Sequence, residues 1–388
     1  MTDVVELTIV MPCLNEAETL AGCIEKARLG IERSGVRGEV LVADNGSKDD
    51  SVVIAEKLGA RVVQVKKKGY GNALRGGIQA AAGKWILMGD ADESYDFSEA
   101  GRFVQKLQGG FELVMGCRLP QGGGKILPGA MPFSHRWLGN PLFSRMARHM
   151  FAAPIHDVYC GLRGFTRELY DRLALQCDGM EFATEMIIKA SLHKARIAEI
   201  PITLHPDGRK THAPHLRTIR DGWRTLRFFL VFSPRWLFLV PGFVLVLLGL
   251  VGYAVALPGL NIGGVTFDAH TLLFSSLAIL MGYQSVLFAI SAKTFAINEG
   301  LLPSDSRFER FFNVIYLERG LALGGLALLA GLILLAGAVL QWESVDFGRL
   351  DYAVTMRWVI PGATLTALGF QTILSSFFVS MLGMKHRP

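Results

Sequence analysis

Two carboxylates two residues apart, Asp90 and Asp92 in Lys84-Trp-Ile-Leu-Met-Gly-Asp-Ala-Asp-Glu93, are the side chains whose types and spacing offer the most direct chemistry in this chain. If Trp85 to Gly89 is a buried strand, residues two apart leave it on one side, and both carboxylates point to one spot beyond its carboxyl end. Hard divalent cations such as Mg²⁺ or Mn²⁺ take oxygen ligands and keep positions open for phosphate oxygens. The pair therefore predicts a metal site suited to a nucleoside diphosphate. An isolated D-x-D also ends strands in plain loops, so the reading depends on what surrounds it.

The surroundings alternate strand and helix. Leu7 to Met11, Glu39 to Ala43, Arg61 to Val65 and Trp85 to Gly89 read as strands; Glu18 to Glu32, Asp50 to Leu58 and Asn72 to Ala82 read as helices. Such an order predicts a parallel sheet that binds ligands at the carboxyl ends of its strands, where Asn15-Glu16, Asp44 and Asp90/Asp92 all fall. Each could be a cap or turn residue alone, but together they line one crevice. The glycines of Gly69-Tyr-Gly-Asn-Ala-Leu-Arg-Gly-Gly77 match neither common phosphate-loop spacing. Lys66-Lys67-Lys68 before them is either a solvated charge run or a set of cations facing a diphosphate.

From about residue 234 the chain becomes mostly apolar. Four runs, Trp236 to Leu257, Thr271 to Ala292, Leu321 to Leu340 and Val359 to Met381, lack Lys, Arg, Asp and Glu and approach the ~20 residues that cross a bilayer. Lys293, Arg307, Arg310 and Arg319 between the second and third runs, with Lys385 and Arg387 in the tail, predict a cytoplasmic amino-terminal domain and carboxyl terminus at the inner (plasma) membrane. The start of the chain lacks the layout of a cleaved signal peptide. Five cysteines, Cys13, Cys23, Cys117, Cys160 and Cys177, show no C-x-x-C spacing and read as reduced thiols. The expected division is 1–212 for the cytoplasmic domain, 213–233 for an amphipathic juxtamembrane helix and 234–388 for the membrane domain.

The series Val10-Met-Pro-Cys-Leu-Asn-Glu16, Val42-Ala-Asp-Asn-Gly-Ser47, Lys68-Gly-Tyr-Gly-Asn-Ala-Leu-Arg75 and Gly89-Asp-Ala-Asp92 resembles the inverting glycosyltransferases of family two. Within them it is most similar to the branch of dolichol-phosphate mannose and glucose synthases and their bacterial polyprenyl-phosphate relatives. The resemblance implies a Rossmann-like, nucleotide-sugar-binding α/β domain of the GT-A type, followed by interfacial helices and four transmembrane α-helices. It places Pro12, Asn15, Glu16, Asp44, Lys68 and the Asp90-Ala91-Asp92 run at the nucleotide, with Asp90 and Asp92 on Mg²⁺ or Mn²⁺. Asn45 and Ser94 depart from the usual residues, which leaves the third metal ligand to Glu93 or water.

The acceptor is read from what lies beyond the metal pair. Leu216, Ile219, Trp223, Leu226 and Leu230 recur at helical steps, and Arg217, Arg220, Arg224 and Arg227 follow one residue later, which predicts a helix lying among lipid phosphates. Phe133 to Phe151, with Trp137, Arg136, Arg145 and Arg148, is either a second interfacial segment or an ordinary surface helix. Asp157-Val-Tyr-Cys-Gly-Leu-Arg-Gly-Phe165 looks like the family's acceptor-site motif. By that resemblance Arg163 meets a phosphate, joined by Arg118, Arg136, Arg209 and Lys210; a structural ion pair is the alternative for any one of them. Asp92, Arg118 and Arg163 are then expected to carry the reaction. A lipid phosphate is already anionic near neutral pH, so it needs positioning more than a general base, and inversion follows from a single displacement. Glu181 and Glu185 share a helical face and are the nearest spare base, although pairing with neighbouring cations explains them as well. His205, His212 and His215 have irregular spacing for zinc.

The expected function is transfer of a hexose from a nucleotide sugar, UDP-glucose ahead of GDP-mannose, to a polyprenyl phosphate. Two other readings remain open: a glycerolipid or polysaccharide acceptor, and a non-catalytic or carrier module. Processive synthases carry Q-x-x-R-W, but Phe232 stands where Gln is required before Arg235-Trp236. Charge-free spans offer no polar transport path. A nucleic-acid partner is not expected in a membrane-embedded chain, and a homo-oligomer is left open.

Overall fold

The computed structural model describes residues 4–209, 218–303, 308 and 317–384. Lys210, His212, His215, Leu216, Arg217, Arg307, Arg310, Lys385 and Arg387 lie outside the described residues. Two compact units divide the chain, Met1–Phe229 and Leu230–Pro388.

The first unit begins with β1 (Leu7–Cys13), α1 (Leu20–Ser34), β2 (Gly38–Asp44), α2 (Ser51–Lys57), β3 (Arg61–Gln64), α3 (Tyr70–Ala80) and β4 (Trp85–Met88). These strands pair in parallel in the order β3-β2-β1-β4. Continuous runs such as Ile9-Val10-Met11 and Leu41-Val42-Ala43 are fully buried, as expected of strands covered on both faces. Helix α1 buries Leu20, Cys23, Ile24 and Ala27 at steps of three and four.

The second half of the sheet departs from the parallel reading. After α4 (Ala100–Gln108), β5 (Leu113–Cys117), the short β6 (Lys125–Ile126) and α5 (Asn140–Phe151), the strand β7 (Arg163–Thr166) inserts between β4 and β5, antiparallel to both. Then α6 (Arg167–Leu173), α7 (Glu181–Leu192), β8 (Ile197–Pro201), β9 (Thr203–Leu204) and α8 (Thr218–Val231) follow, giving a seven-stranded mixed sheet ordered β3-β2-β1-β4-β7-β5-β8. In this register Met88 faces Arg163, so the chain entering β7 passes the carboxyl end of β4, beside Asp90.

The second unit holds four helices long and apolar enough to cross a membrane: Arg235–Ala256, Ala269–Asn298, Leu317–Glu343 and Tyr352–Gly383. They run beyond the charge-free stretches of the sequence, so their ends take in Lys293, Glu318, Arg319 and Arg357, the last 3.6 Å from Asp268. Small residues let backbones meet: a Cβ on Gly249 would lie 2.6 Å from the Ser275 carbonyl, and one on Gly331 would lie 2.7 Å from that of Gly362. Tyr253 shares hydrogen bonds with Ser276 (2.6 Å) and Thr364 (3.1 Å), which satisfies a polar group among apolar helices.

Candidate active site

The floor of the crevice is built by turns at the ends of β1 and β2. Asp44, buried as the last residue of β2, accepts the backbone N–H groups of Gly46 and Ser47, each at 3.0 Å. Asn45 donates to the Val65 and Lys67 carbonyls and accepts the Gly69 N–H, all at 2.9 Å, which fixes the entry to α3. Lys68 folds back so that its ammonium donates to the Asn45 carbonyl. Asn15 sits at φ 61°, a left-handed conformation that asparagine tolerates, and its side chain accepts the Lys48 N–H at 2.8 Å. Pro12 lies in β1, and Ala91 is buried with its carbonyl accepting the Thr19 hydroxyl at 2.7 Å.

Asp90 is held from two sides. The Tyr70 hydroxyl donates to its Oδ1 at 2.8 Å, and a Cβ on Gly161 would stand 2.8 Å from its Oδ2. Tyr70 gets there because Gly69, at φ 129°, makes a turn whose Cβ would strike the Asp178 carbonyl, so only glycine fits. Burial, followed by the charge of Asp92, pushes the Asp90 carboxyl up to about 6.

Asp92 is anchored differently. Its Oδ1 accepts the Ser94 N–H at 3.1 Å, while its Oδ2 lies 3.3 Å from Arg209 Nη2. Arg209 also pairs with Glu16 at 3.1 Å and grips Asp207 through Nε and Nη2. Burial alone would lower this guanidinium; the Asp207 hydrogen bond and the Glu16 and Asp92 charges outweigh it and raise it. The segment carrying it is clipped to the Asp92 turn by His205 N–H to the Ser94 carbonyl (3.0 Å) and Gly208 N–H to the Asp92 carbonyl (2.9 Å).

Among the described residues no three metal-ligating side chains converge. The pair still fits a hard divalent cation, because Mg²⁺ is commonly held by one or two carboxylates plus substrate phosphates and waters, and because a buried carboxyl pushed upward by its neighbour is short of positive charge. Glu93 does not group with the pair as a third ligand among the described residues. It sits at φ 62° with its carboxylate between α1 and the Pro206–Gly208 turn, where a Cβ on Gly22 would collide with its Oε1 and one on Gly208 would lie 2.7 Å from its Oε2.

Several expected phosphate contacts have other partners. Arg163 is 0% exposed in the middle of the sheet, and its guanidinium donates to the Cys160 (2.8 Å), Val158 (3.1 Å) and Ala183 carbonyls. It ties the turn beside Asp90 to α7 and does not reach an open anion site; burial among carbonyls lowers it. Arg118 makes a bidentate pair with the fully buried Asp157, 2.7 and 2.8 Å, and that pair outweighs burial and raises it. Glu199 in β8 braces the same turn by accepting the His156 and Asp157 N–H groups. Arg136 is half-buried, 5.3 Å over the Trp137 ring, and its Nε is buried without a hydrogen-bond partner among the described residues. Glu185 is buried against Lys189 at 2.9 Å and caps the Gln176 and Cys177 N–H groups, and Glu181 lies 3.6 Å from Arg224; both acids have cationic partners, which removes them as a spare base.

Sequence reasoning missed Tyr70, Asp207 and Glu199. Tyr70 was visible inside the Gly69-Tyr-Gly71 run, and Asp207 two residues before Arg209. Glu199, in an ordinary strand, carried no signal.

Exchanging Asp90 for asparagine should show the strain of its charge. The folded pKa of about 6 lies above the ~3.9 of an exposed aspartate, so this carboxyl's own contribution to stability is complete below pH ~4 and is lost as pH rises through 6. Asp90→Asn should therefore raise the metal-free melting stability at pH 8 by about 1–2 kcal/mol, discounted for partial solvent access, and change it little near pH 4. Thermal melts in chelator at the two pH values check this; a less stable variant at pH 8 would contradict the raised pKa.

A mixed α/β sheet with acidic turns at its carboxyl ends, followed in the chain by four helices long and apolar enough to cross a membrane, has the architecture of a GT-A-like, membrane-bound glycosyltransferase. Residues 8–174 match the family model "Glycosyl transferase family 2", and residues 290–383 match "Glycosyltransferase family 2 C-terminal transmembrane region". The chain is 36% identical over 378 residues to the low-salt glycan biosynthesis hexosyltransferase Agl6 of Haloferax volcanii, covering 97% of this chain and 89% of that one. It is 29% identical over 198 residues to the dolichyl-phosphate hexose transferase of the same organism, covering 51% and 82%. The chain belongs to glycosyltransferase family 2. A crystal structure of glucosyl-3-phosphoglycerate synthase from Mycobacterium tuberculosis with Mn²⁺ and uridine diphosphate aligns at TM-score 0.42 and 21% identity, over 58% of this chain and 78% of that one, a likeness too slight to carry ligands across.

Proposed function

We propose that this enzyme transfers a hexose, with inversion, from a nucleoside diphosphate sugar to a polyprenyl phosphate at the cytoplasmic face of the plasma membrane. UDP-glucose is the favoured donor and GDP-mannose the next. The observation that carries the reading is the convergence of Asp90, Asp92, Glu16 and Arg209 at the strand ends of a chain whose last third spans a membrane. The relative named as a dolichyl-phosphate hexose transferase supports the choice of acceptor.

In this reading Asp44, Asn15 and the turn around Ser47 shape the nucleoside floor, and Lys68, whose ammonium donates to the Asn45 carbonyl, is the cation proposed for the diphosphate. Asp90 and Asp92 would hold Mg²⁺ or Mn²⁺, which when bound offsets the charge developing on the leaving diphosphate. Tyr70 and Gly161 keep the Asp90 carboxylate in one orientation. Arg163 and Arg118 act as positioning residues, because they hold the Asp157–Gly161 turn that abuts Asp90. Arg136 and Lys210 remain the cations proposed for the acceptor phosphate; Arg209 is taken up by Asp207, Glu16 and Asp92. That phosphate needs no base to become a nucleophile, only alignment opposite the leaving group.

Access to a lipid acceptor calls for an apolar, basic edge. Phe133 (79% exposed), Trp137 (53%) and Trp223 (62%) stand out from the first unit with Arg220 and Arg227, while α8 packs inward through Thr225 and Phe229, the latter edge-on against Phe143 and Phe151. Trp223 is thus not used up by the domain's own core, and α8 ends four residues before the first span begins. We expect Trp137→Glu/Trp223→Glu to lower transfer to polyprenyl phosphate in liposomes by about tenfold or more while nucleotide affinity stays within about twofold. An equal loss of nucleotide affinity would show that these side chains serve the fold instead.

The acceptor is tested by offering the full chain, in detergent with Mn²⁺, labelled UDP- and GDP-sugars against polyprenyl phosphate, polyprenol and diacylglycerol, with the anomeric configuration of the product read by NMR. Product only on polyprenyl phosphate, inverted relative to the donor, supports the reading. Product on diacylglycerol moves the assignment to a glycerolipid acceptor.

A further inference from the structure

Among the described residues Arg209 touches both Glu16, beyond the end of β1, and Asp92, beyond β4, at 3.1 and 3.3 Å. Its side chain is only 9% exposed, as is that of Glu16, so these charges meet with little water between them. A fixed cation so placed answers the same carboxylate that the proposed function gives to a divalent ion. Both cannot hold Asp92 Oδ2 in the same way at once.

The backbone around Arg209 is not free to follow its side chain. His205 and Gly208 are clipped to Ser94 and Asp92 by main-chain hydrogen bonds, and Asp207 grips the guanidinium through both carboxylate oxygens. Asp207 is thus a second anchor that keeps the arginine at the crevice whether or not it touches Asp92. The arrangement has the parts of an exchange: a tethered guanidinium, a carboxylate it can release, and a resident counter-charge for Glu16 and Asp92 when nothing else supplies one. The long, multiply substituted fork of arginine suits this role better than lysine, because it can leave one carboxylate while keeping another.

We propose that Arg209 is a built-in counter-ion that competes with the divalent cation for Asp92, so that the donor-free protein binds the cation weakly and the nucleoside diphosphate, which brings its own oxygen ligands, tips the exchange. This rests on the reading that Asp90 and Asp92 are the metal ligands. Two consequences follow. The cation and the nucleotide bind with positive coupling, and removing the guanidinium shrinks that coupling by strengthening cation binding to the protein alone.

The test is Mn²⁺ binding to the full chain in detergent, followed by electron paramagnetic resonance, without nucleotide and with UDP or GDP. Wild type, Arg209→Gln, Arg209→Lys and Asp92→Asn are compared, each checked for a wild-type-like thermal melt. Arg209→Gln should bind Mn²⁺ about tenfold tighter than wild type without nucleotide, about 1.4 kcal/mol, with the gap narrowing once nucleotide is present. Arg209→Lys, which keeps the charge but loses the fork, should fall between the two, and so tests the competition even if Arg209→Gln does not fold. Unchanged or weaker Mn²⁺ binding in Arg209→Gln, with binding still lost in Asp92→Asn, would overturn the competition and leave the metal assignment standing. Mn²⁺ binding that survives Asp92→Asn, or that wild type lacks even with both nucleotides, would overturn the metal assignment and the competition with it.

Discussion

Asp92→Ala should reduce sugar transfer by about 10³-fold, a loss of about 4 kcal/mol in transition-state stabilisation, because in the proposed function it removes one of the two carboxylates that would hold the cation at the leaving diphosphate. The fold should lose less. Asp92 contributes a hydrogen bond from the Ser94 N–H and one arm of the Arg209 network, and Arg209 keeps Asp207 and Glu16 as partners when that arm is lost, so the loss in stability should stay within about 2 kcal/mol. Excess Mn²⁺ should not restore the rate if Asp92 is, as proposed, a ligand of the cation. The check is single-turnover transfer with saturating donor alongside a thermal melt. A variant that keeps more than a tenth of wild-type transfer would mean that the leaving charge is met elsewhere in the crevice.

Asp157→Ala should be the most damaging change to stability in the first unit, at about 3–5 kcal/mol, because it strands a buried guanidinium. Arg118 has both of its described side-chain hydrogen bonds on Asp157, and the Arg118 N–H uses the same carboxylate. Removing both charges together, as in Arg118→Met/Asp157→Leu, should recover much of that loss, since a buried pair is often worth no more than well-packed apolar residues. Transfer should stay low in the double variant, because the turn that abuts Asp90 would no longer be pinned at Arg118. Denaturant or thermal melts of the four proteins in one cycle give the coupling between the two residues. If the double variant were as unstable as Asp157→Ala, the pair would be contributing shape and not merely mutual neutralisation.

The legible and illegible parts of this chain divide along physical lines. Ile9-Val10-Met11, Leu41-Val42-Ala43 and Ile86-Leu87-Met88 announce buried parallel strands because both faces are covered and nothing polar interrupts them. The same logic places Asp44 and Asp90 at strand ends, where an acid can sit beside apolar neighbours without being drawn into the core. The strand Arg163–Thr166 had no such announcement. It is four residues long, opens on an arginine and pairs antiparallel with strands on both sides, so hydropathy points it toward solvent. Only the tertiary supply of three carbonyl acceptors makes its burial tolerable. For the same reason, Arg118, Arg163 and Arg209 look alike as phosphate binders in sequence. Their partners, Asp157, the carbonyls around Cys160, and the Glu16-Asp92-Asp207 set, come from strands and turns up to 193 positions away.

In the proposed function a lipid phosphate takes the sugar at the Asp90/Asp92 site. The most direct test is transfer of labelled sugar to a short-chain polyprenyl phosphate by the full chain in detergent, for wild type with and without chelator and for Asp92→Ala. The expected result is a mild-acid-labile glycolipid formed from one donor in wild type, absent with chelator and absent in the variant. Transfer from no donor, or transfer that survives both chelator and Asp92→Ala, would contradict the account.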